Sequence, residues 1–121
     1  MRLEHWNTQF EGMGAHVDTT AWDESAMAER FRALEPDLVF CLIGTTKARA
    51  RQAEDPKSES YMAVDYGLTA LLIRACLAAE IQPKFVYLSS LGTQENSPSA
   101  YLQARYLAEN ELIESGLTYV I

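Results

Sequence analysis

DLVFCLIG at residues 37–44 and KFVYLSS at residues 84–90 are the two stretches that decide the fold. After its first residue, each stretch is a continuous apolar run. Its last residues are small or carry a hydroxyl group. Strands that alternate apolar and polar residues have one face in water, whereas continuous apolar runs are typical of parallel strands covered on both faces. The sequence therefore predicts two central strands of a parallel sheet.

Helical patterns separate these strands, which favours an α/β fold with crossover helices. Asp23 is an N-cap candidate for a helix over residues 24–34, and Gly116 is a C-terminal cap candidate for a helix over residues 99–115. Apolar residues at intervals of three and four predict a long helix over residues 61–80. Further expectations are a strand at residues 14–18, a loop at residues 45–59 and a last strand at residues 117–121.

Size and charge limit the function classes. The chain has 121 residues, 48% of them hydrophobic, and a net charge of −7. One domain over residues 1–121 is expected. The negative charge disfavours binding to nucleic acid or anionic membranes, and no apolar run resembles a membrane span or signal peptide. We expect a cytoplasmic protein.

The two cysteines are predicted to be structural. Cys41 and Cys76 lie in apolar surroundings, without a CxxC motif or clustered histidines. Free cysteine behaves in such places as a small buried hydrophobic residue. No metal site is expected.

Residues with reactive or polar side chains follow the predicted strands. Ligands of open parallel sheets bind beyond the carboxyl ends of the strands. The candidates there are Asp18, Gly44, Thr45, Thr46, Ser89 and Ser90. Asp18 could instead be a helix cap, and residues 44–46 and the two serines could be ordinary turn residues.

Tyr101 and Arg105 are four residues apart, so they should share one face of the last helix, one turn apart. A tyrosine has an ordinary pKa of about 10 and needs a nearby cation to exchange protons near neutral pH. Arg105 could supply that cation. Ser90 could hold the oxygen of a carbonyl or alcohol substrate during proton transfer.

These residues resemble the Ser, Tyr, Lys constellation of short-chain dehydrogenases/reductases. The stretches at residues 36–46, 64–66, 87–92 and 101–105, with Glu109, are similar to the atypical branch that includes NmrA-like proteins and Tat-interacting-protein oxidoreductases. The resemblance implies an NAD(P)-binding Rossmann-like domain with Tyr101 as the general acid/base. It implies Ser90 as the residue that orients the substrate, with Ser89 as the less favoured candidate.

The resemblance also implies cofactor contacts. Asp18 would lie near the adenine of NADP or NAD, and Gly44, Thr45 and Thr46 would line its ribose and diphosphate. Ser89 and Tyr101 would also contact the cofactor. Arg105 stands where the family has a lysine that lowers the tyrosine pKa and holds the nicotinamide ribose. Lys47, Arg49 and Arg51 either meet the phosphate of NADP or form solvated surface.

Two departures from the family pattern have structural consequences. No GxGxxG or GxxGxxG motif precedes the first predicted helix, so the first βα unit and its pyrophosphate-binding amides are expected to be missing, as in an N-terminally truncated domain. In the strand order 3-2-1-4-5-6, the segment at residues 14–18 would be strand 3 and residues 37–44 strand 4, which leaves a gap. Residues 1–10 could contribute to the sheet, residues 14–18 could pair elsewhere, or an open edge could support a homo-oligomer.

Two functions remain open at this stage. The first is an NAD(P)-dependent oxidoreductase-like domain that transfers hydride to or from a small carbonyl or alcohol substrate, with Tyr101 as acid/base. The second is a non-catalytic Rossmann remnant with weak or no dinucleotide binding, which would act through protein contacts. Guanidinium cannot readily release a proton, so Arg105 weakens the catalytic hypothesis.

Overall fold

The computed structural model describes residues 2–121, with five α-helices, one π-helical segment and three strands in that part of the chain. The helices are α1 (Arg2–Gly12), α2 (Glu24–Leu34), α3 (Lys47–Gln52), α4 (Thr69–Ala78) and α5 (Ala100–Glu114), and the π-helical segment Met62–Leu68 leads directly into α4. The strands are β1 (Leu38–Cys41), β2 (Lys84–Tyr87) and β3 (Tyr119–Val120).

The three strands form one parallel sheet in the order β1-β2-β3. Val39 lies opposite Phe85, and Cys41 lies opposite Tyr87. Helices connect consecutive strands, as parallel pairing requires. The protein is a mixed α/β structure with a small parallel sheet and packed helices, which confirms the coarse fold prediction.

Helix α2 begins and ends at the residues that the sequence predicts. The Asp23 carboxylate accepts a hydrogen bond from the Ala26 backbone N–H at 2.8 Å. At the other end, Glu35 adopts the left-handed conformation with φ 47°, and its N–H donates to the Phe31 carbonyl at 2.8 Å. Both caps satisfy backbone groups that a helix terminus leaves unpaired.

The other helices depart in part from prediction. Helix α5 has Ser99 as its N-cap, and Gly116 follows it with φ 82°, as predicted. The expected loop at residues 45–59 contains α3, which Thr46 caps. The expected helix at residues 61–80 is the π-helical segment followed by α4.

The core lies on one face of the sheet. Phe85 and Cys41 are fully buried there and Tyr87 is nearly so, against Ile73 of α4 and Leu112 of α5. Cys41 and Cys76 are free and buried, as predicted. Burial raises the pKa of Cys76 to about 12, so this thiol is unreactive.

The opposite face of the sheet is uncovered by the described residues, which corrects the prediction of helices on both faces. Leu38 and Phe40 of β1 are 51% and 61% exposed, and Val120 of β3 is 50% exposed. Leu38, Phe40 and Val120 are apolar, as residues are on strands that helices cover on both faces. The packed helices nevertheless bury only the face of Cys41 and Phe85.

The predicted strand at residues 14–18 is absent from the described sheet. Gly14 has φ 85° and residues 15–20 form no ladder, so the sheet starts at β1 and has no gap between strands. The first residues form α1 instead of adding to the sheet. The predicted strands at residues 37–44, 84–90 and 117–121 are shortened to β1, β2 and β3.

Neither a metal cluster nor a membrane span is found in residues 2–121. No three His, Cys, Asp or Glu residues in this range are grouped to hold a metal ion. No helix in the same range combines the length and apolarity needed to cross a bilayer.

Candidate functional site at the carboxyl edge of the sheet

Arg105 links the carboxyl ends of β1 and β2. Its Nη1 donates to the Leu88 carbonyl at 2.7 Å and to the Tyr87 hydroxyl at 3.1 Å. Its Nη2 donates to the Ile43 carbonyl at 3.0 Å. The planar guanidinium thus joins the backbone beyond two neighbouring strands, a geometry that a single ammonium group cannot reproduce.

Asp65 is the carboxylate partner of this guanidinium. Its Oδ1 lies 2.8 Å from Arg105 Nη2, and the side chain is 0% exposed. Its Oδ2 accepts a hydrogen bond from the Thr45 backbone N–H at 3.1 Å. Asp65 therefore compensates the buried charge and also fixes the chain just after β1. We call Arg105, Asp65 and the groups they bind the arginine clamp.

The π-helical segment carries Asp65 to this place. The Tyr66 N–H donates to the Tyr61 carbonyl at 3.1 Å, which is the wider i to i−5 spacing of a π turn. A Cβ at residue 67 would lie 3.2 Å from the Met62 carbonyl oxygen, so glycine, which has no Cβ, avoids this close contact. Such single π turns are frequent at functional sites.

Gly44 is needed where Arg105 closes on the chain. A Cβ at this position would lie 2.7 Å from Arg105 Nη2, closer than side chains tolerate. The space beside Gly44, which the sequence analysis assigns to a cofactor ribose or diphosphate, is filled by the guanidinium. Arg105 therefore lies directly against Gly44, and the roles of both residues as cofactor ligands stay predictions.

The clamp favours a permanently charged Arg105. Burial lowers its pKa, but Tyr87, Asp65 and Tyr101 together outweigh burial and raise the pKa above the ordinary value. Burial also raises the pKa of Tyr87, although Arg105 opposes that shift. Tyr87 remains a neutral hydroxyl that accepts from the guanidinium.

Tyr101 lies beside the clamp, as the four-residue spacing predicts. The centre of its ring is 5.2 Å from Arg105 Cζ, and the Tyr61 ring packs edge-on against it at 5.3 Å. Cation–π contact at this distance is attractive. The phenol hydroxyl takes part in none of the hydrogen bonds between described residues, so it remains available to a ligand.

Ser89 and Ser90 line a separate cavity of about 280 Å³, together with Leu91 and Glu109. The Ser89 hydroxyl donates to Glu109 Oε1 at 2.5 Å, and the Thr93 hydroxyl donates to Oε2 at 3.0 Å. Glu109 thus anchors the loop that carries Ser90. No hydrogen bond between described residues joins Ser90 to Tyr101.

Thr45 and Thr46 use their hydroxyls within the protein. Thr45 donates to Glu59 Oε2 at 2.9 Å, and Thr46 Oγ1 accepts the Arg49 N–H at 3.2 Å as the cap of α3. Both residues also line a mostly apolar cavity of about 240 Å³, which Tyr61 and Ala100 border on the side of Tyr101. We call this cavity the slot.

Asp18 lies outside the group of residues around the clamp. Its carboxylate accepts hydrogen bonds from the Thr20 N–H at 2.8 Å and the Thr20 hydroxyl at 2.6 Å, and it pairs with Arg30 of α2. These contacts lower its pKa to about 2. Because no strand ends at Asp18, its predicted place at a strand end is wrong, and its contacts are those of a turn before α2.

Two carboxylates that organise this edge, Asp65 and Glu109, have no predicted role. Asp65 breaks an otherwise apolar helical stripe, and a lone acid in a stripe is a signal for a buried partner. Glu109 lies four residues after Arg105 and eight after Tyr101, on the same helix face. The spacing could have indicated Glu109, but only the fold identifies its serine and threonine partners.

The chain is similar to two fungal proteins, both named Protein FMP52, mitochondrial. It is 29% identical over 105 residues to the one from Candida albicans, which covers 86% of this chain and 42% of that protein. It is 33% identical over 97 residues to the one from Debaryomyces hansenii, covering 80% and 39%. The chain spans about two-fifths of the length of these relatives.

Neither family models nor solved structures match the chain. The relatives carry the FMP52 name and not that of a short-chain dehydrogenase or NmrA-like oxidoreductase, so the family resemblance inferred from sequence is corrected. The expected cytoplasmic location is also corrected, because both relatives are named as mitochondrial. Short motifs at strand ends recur on unrelated proteins, which explains how they misled.

Proposed function

We propose that the parallel sheet is Rossmann-like and that its carboxyl edge forms part of an oxidoreductase site for a small carbonyl or alcohol. Tyr101 is the group that exchanges a proton with the substrate oxygen. Ser90, on the loop after β2, is the candidate to orient that oxygen. The placement agrees with the general position of ligands in open parallel sheets.

One observation carries this proposal: the Tyr101 hydroxyl takes part in none of the hydrogen bonds between described residues, and its ring lies over a fixed guanidinium. Cation–π contact with this guanidinium holds the Tyr101 ring at the carboxyl edge of the sheet, where ligands of parallel sheets bind. Because Asp65 and two backbone carbonyls hold Arg105, that charge stays in place without a ligand. The clamp is thus a positioning device for Tyr101.

A nicotinamide dinucleotide is the group that supplies or accepts the hydride in such chemistry. The fit of its proposed ligands is poor, since Arg105 and Gly44 face each other and the hydroxyls of Thr45, Thr46 and Ser89 are engaged within the protein. No glycine-rich phosphate motif occurs in the 121 residues. We therefore derive no step through the dinucleotide, and expect these residues alone to bind NADPH or NADH weakly.

The test compares Tyr101→Phe with Tyr106→Phe on the same helix. A general acid or base contributes about 100- to 10,000-fold to a rate, so Tyr101→Phe should lower turnover of reduced nicotinamide with small carbonyl compounds by such a factor. Tyr106 takes part in none of the hydrogen bonds of the described residues and should tolerate the change. Equal turnover in the two variants would remove Tyr101 from the mechanism.

A second candidate is a non-catalytic domain that acts through protein contacts. The exposed apolar sheet face around Leu38, Phe40 and Val120 specifically favours it, because soluble proteins seldom leave such patches uncovered without a partner. β1 and β3 are also the two edges of the described sheet, which leaves their outer backbone open to pairing in a homo-oligomer. Sedimentation over a range of protein concentrations, with and without NADPH, separates the two candidates.

Mitochondrial residence is proposed on the names of the relatives alone. A fluorescent fusion of the protein, followed by fractionation of the cells, would test this location. Fluorescence confined to the cytosol would contradict it.

A further inference from the structure

The slot and a wider cavity adjoin each other at the carboxyl edge of the sheet. The slot has a volume of about 240 Å³ and the wider cavity about 700 Å³. Glu59 lines both, so the two spaces are neighbours. Together they offer room for a small molecule, and Tyr61, which lines the slot, packs against the Tyr101 ring.

The inner lining of the slot is apolar. Ala50, Pro56 and Met62 line it, and Ala100 and Tyr61 border it on the side of Tyr101. A ring or short chain placed against these side chains would leave water, which stabilises binding in proportion to the apolar area covered. The slot therefore suits the hydrocarbon part of a ligand.

Two basic side chains and one acidic side chain line the two cavities. Lys47 lines the slot, and Arg49 lines the wider cavity. With Arg51 they are three of the ten basic residues in a chain of net charge −7, and none of the ion pairs between described residues involves them. Glu59 is the opposing carboxylate, and it accepts a hydrogen bond from Thr45.

We propose that the slot binds the apolar body of a small substrate whose single acidic group, a carboxylate, is held by Lys47 and Arg49. This inference rests on the proposed function, because it assigns a substrate class to the site beside Tyr101. The positive charges also draw such an anion toward an otherwise acidic protein. Lys47 and Arg49 are thus specificity residues, distinct from the proton-exchanging Tyr101.

The experiment uses two non-reacting probes of equal shape. Phenylacetate carries the acidic group, and phenylacetamide is its neutral match. Both are titrated into the purified chain and followed by the backbone amide signals of Ala50, Met62 and Ala100 in NMR. We expect phenylacetate to bind more tightly and to shift all three signals.

Variants that change one charge test whether electrostatic attraction contributes to phenylacetate binding. Lys47→Gln should weaken phenylacetate binding about five-fold, the scale of one solvent-exposed ionic interaction, and leave phenylacetamide unchanged. Glu59→Gln should tighten phenylacetate binding. Arg51→Gln is the matched control, because it removes the same charge from α3 at a residue that lines neither cavity.

A variant with a larger side chain in the slot tests whether the probes bind there. Ala50→Leu keeps a good helix former and should abolish the signal shifts caused by both probes. Equal weakening by Lys47→Gln and Arg51→Gln, or unchanged binding in Ala50→Leu, would overturn the proposal. These readouts involve no turnover, so their failure is distinguishable from a failure of the proposed function, which would show as equal turnover in Tyr101→Phe and Tyr106→Phe.

Discussion

Two arginine–carboxylate pairs join α5 to the preceding helical segments, and they differ in burial. Arg105 and Asp65 are 8% and 0% exposed at their side chains, with 2.8 Å between Nη2 and Oδ1. Arg74 and Glu111 are 49% and 23% exposed, with 2.7 Å between Nε and Oε1. The distances are nearly equal, so distance alone does not say what either pair contributes.

The two pairs contribute differently to stability because they differ in burial. An exposed pair exchanges contacts with water for contacts with each other, and gains little. A buried pair must replace its lost hydration with protein contacts, and the arginine clamp does so in part, with two backbone carbonyls, a hydroxyl and a backbone N–H. Arg105 Nε and Asp65 Oδ1 form no hydrogen bond with any described residue. Removing one partner from the clamp leaves a charge without water or counterion.

The largest effect is expected from breaking the clamp. Arg105→Met should lower the free energy of unfolding by about 3–5 kcal/mol, because it leaves the Asp65 carboxylate buried and unpaired. Urea unfolding followed by circular dichroism measures this change. The double variant Arg105→Met, Asp65→Leu removes both charges and should recover most of the loss, and a double variant as unstable as the single one would contradict the assignment.

An intermediate effect is expected at Gly44. Gly44→Ala places a Cβ against an Arg105 guanidinium that three acceptors already hold, so we expect a loss of about 1–3 kcal/mol from overpacking. The matched control is Gly12→Ala in α1, where no atom lies within 4 Å of the added Cβ. If both variants unfold at the same urea concentration as the parent, Arg105 is free to move aside.

The smallest effect is expected from the exposed pair. Glu111→Gln should lower the free energy of unfolding by less than about 1 kcal/mol. Arg74 holds the pKa of Glu111 below its ordinary value of 4.5, against burial, with Tyr66 contributing. A lowered folded-state pKa means that this contribution is complete above 4.5 and is lost as the pH falls through the folded value.

Unfolding measured on both sides of pH 4.5 checks this dependence. The Glu111→Gln difference should shrink at the lower pH, whereas Glu114→Gln, an exposed change on the same helix, should give no comparable trend. A difference that stays constant across this range would show that Glu111 acts through packing and not through charge.

Local signals predicted part of this molecule well. Asp23 caps α2, and residues 24–34 were correct to both ends, because a cap and an apolar stripe act within a few residues. The helix α3 was missed although Thr46 precedes a run of good helix formers. Charged and polar residues occur in loops and in exposed helices alike, so the composition of that segment does not distinguish the two.

Strand predictions depended on neighbours that the sequence does not name. Residues 37–44 and 84–90 contain true strands because each finds a parallel partner. Residues 14–18, also predicted as a strand, have no partner among the described residues, and an unpaired segment gains nothing from extended backbone. Strand formation requires hydrogen bonds from another part of the chain.

In the candidate site, too, contacts between nearby residues were predictable and contacts between distant residues were not. The spacing of Tyr101 and Arg105 placed them together on one helix face, and that placement is correct. The sequence could not say that Arg105 binds Ile43 and Leu88, or that Asp65 faces it, because those contacts span up to 62 positions. Arg105 thus joins the chain beyond β1 to the chain beyond β2, a contact that its spacing from Tyr101 does not reveal.

The sequence by itself determined the α/β class, the Asp23 cap of α2, the glycine after α5, the buried cysteines and the register of Tyr101 with Arg105. All of these follow from patterns over a few turns or from composition. Only the tertiary structure decided which face of the sheet is covered, where Asp18 lies and which acceptors hold Arg105. Burial and long-range pairing set those outcomes, and neither is a property of a short stretch of chain. The physical reason is that a charged or apolar side chain takes its role from what surrounds it in the fold.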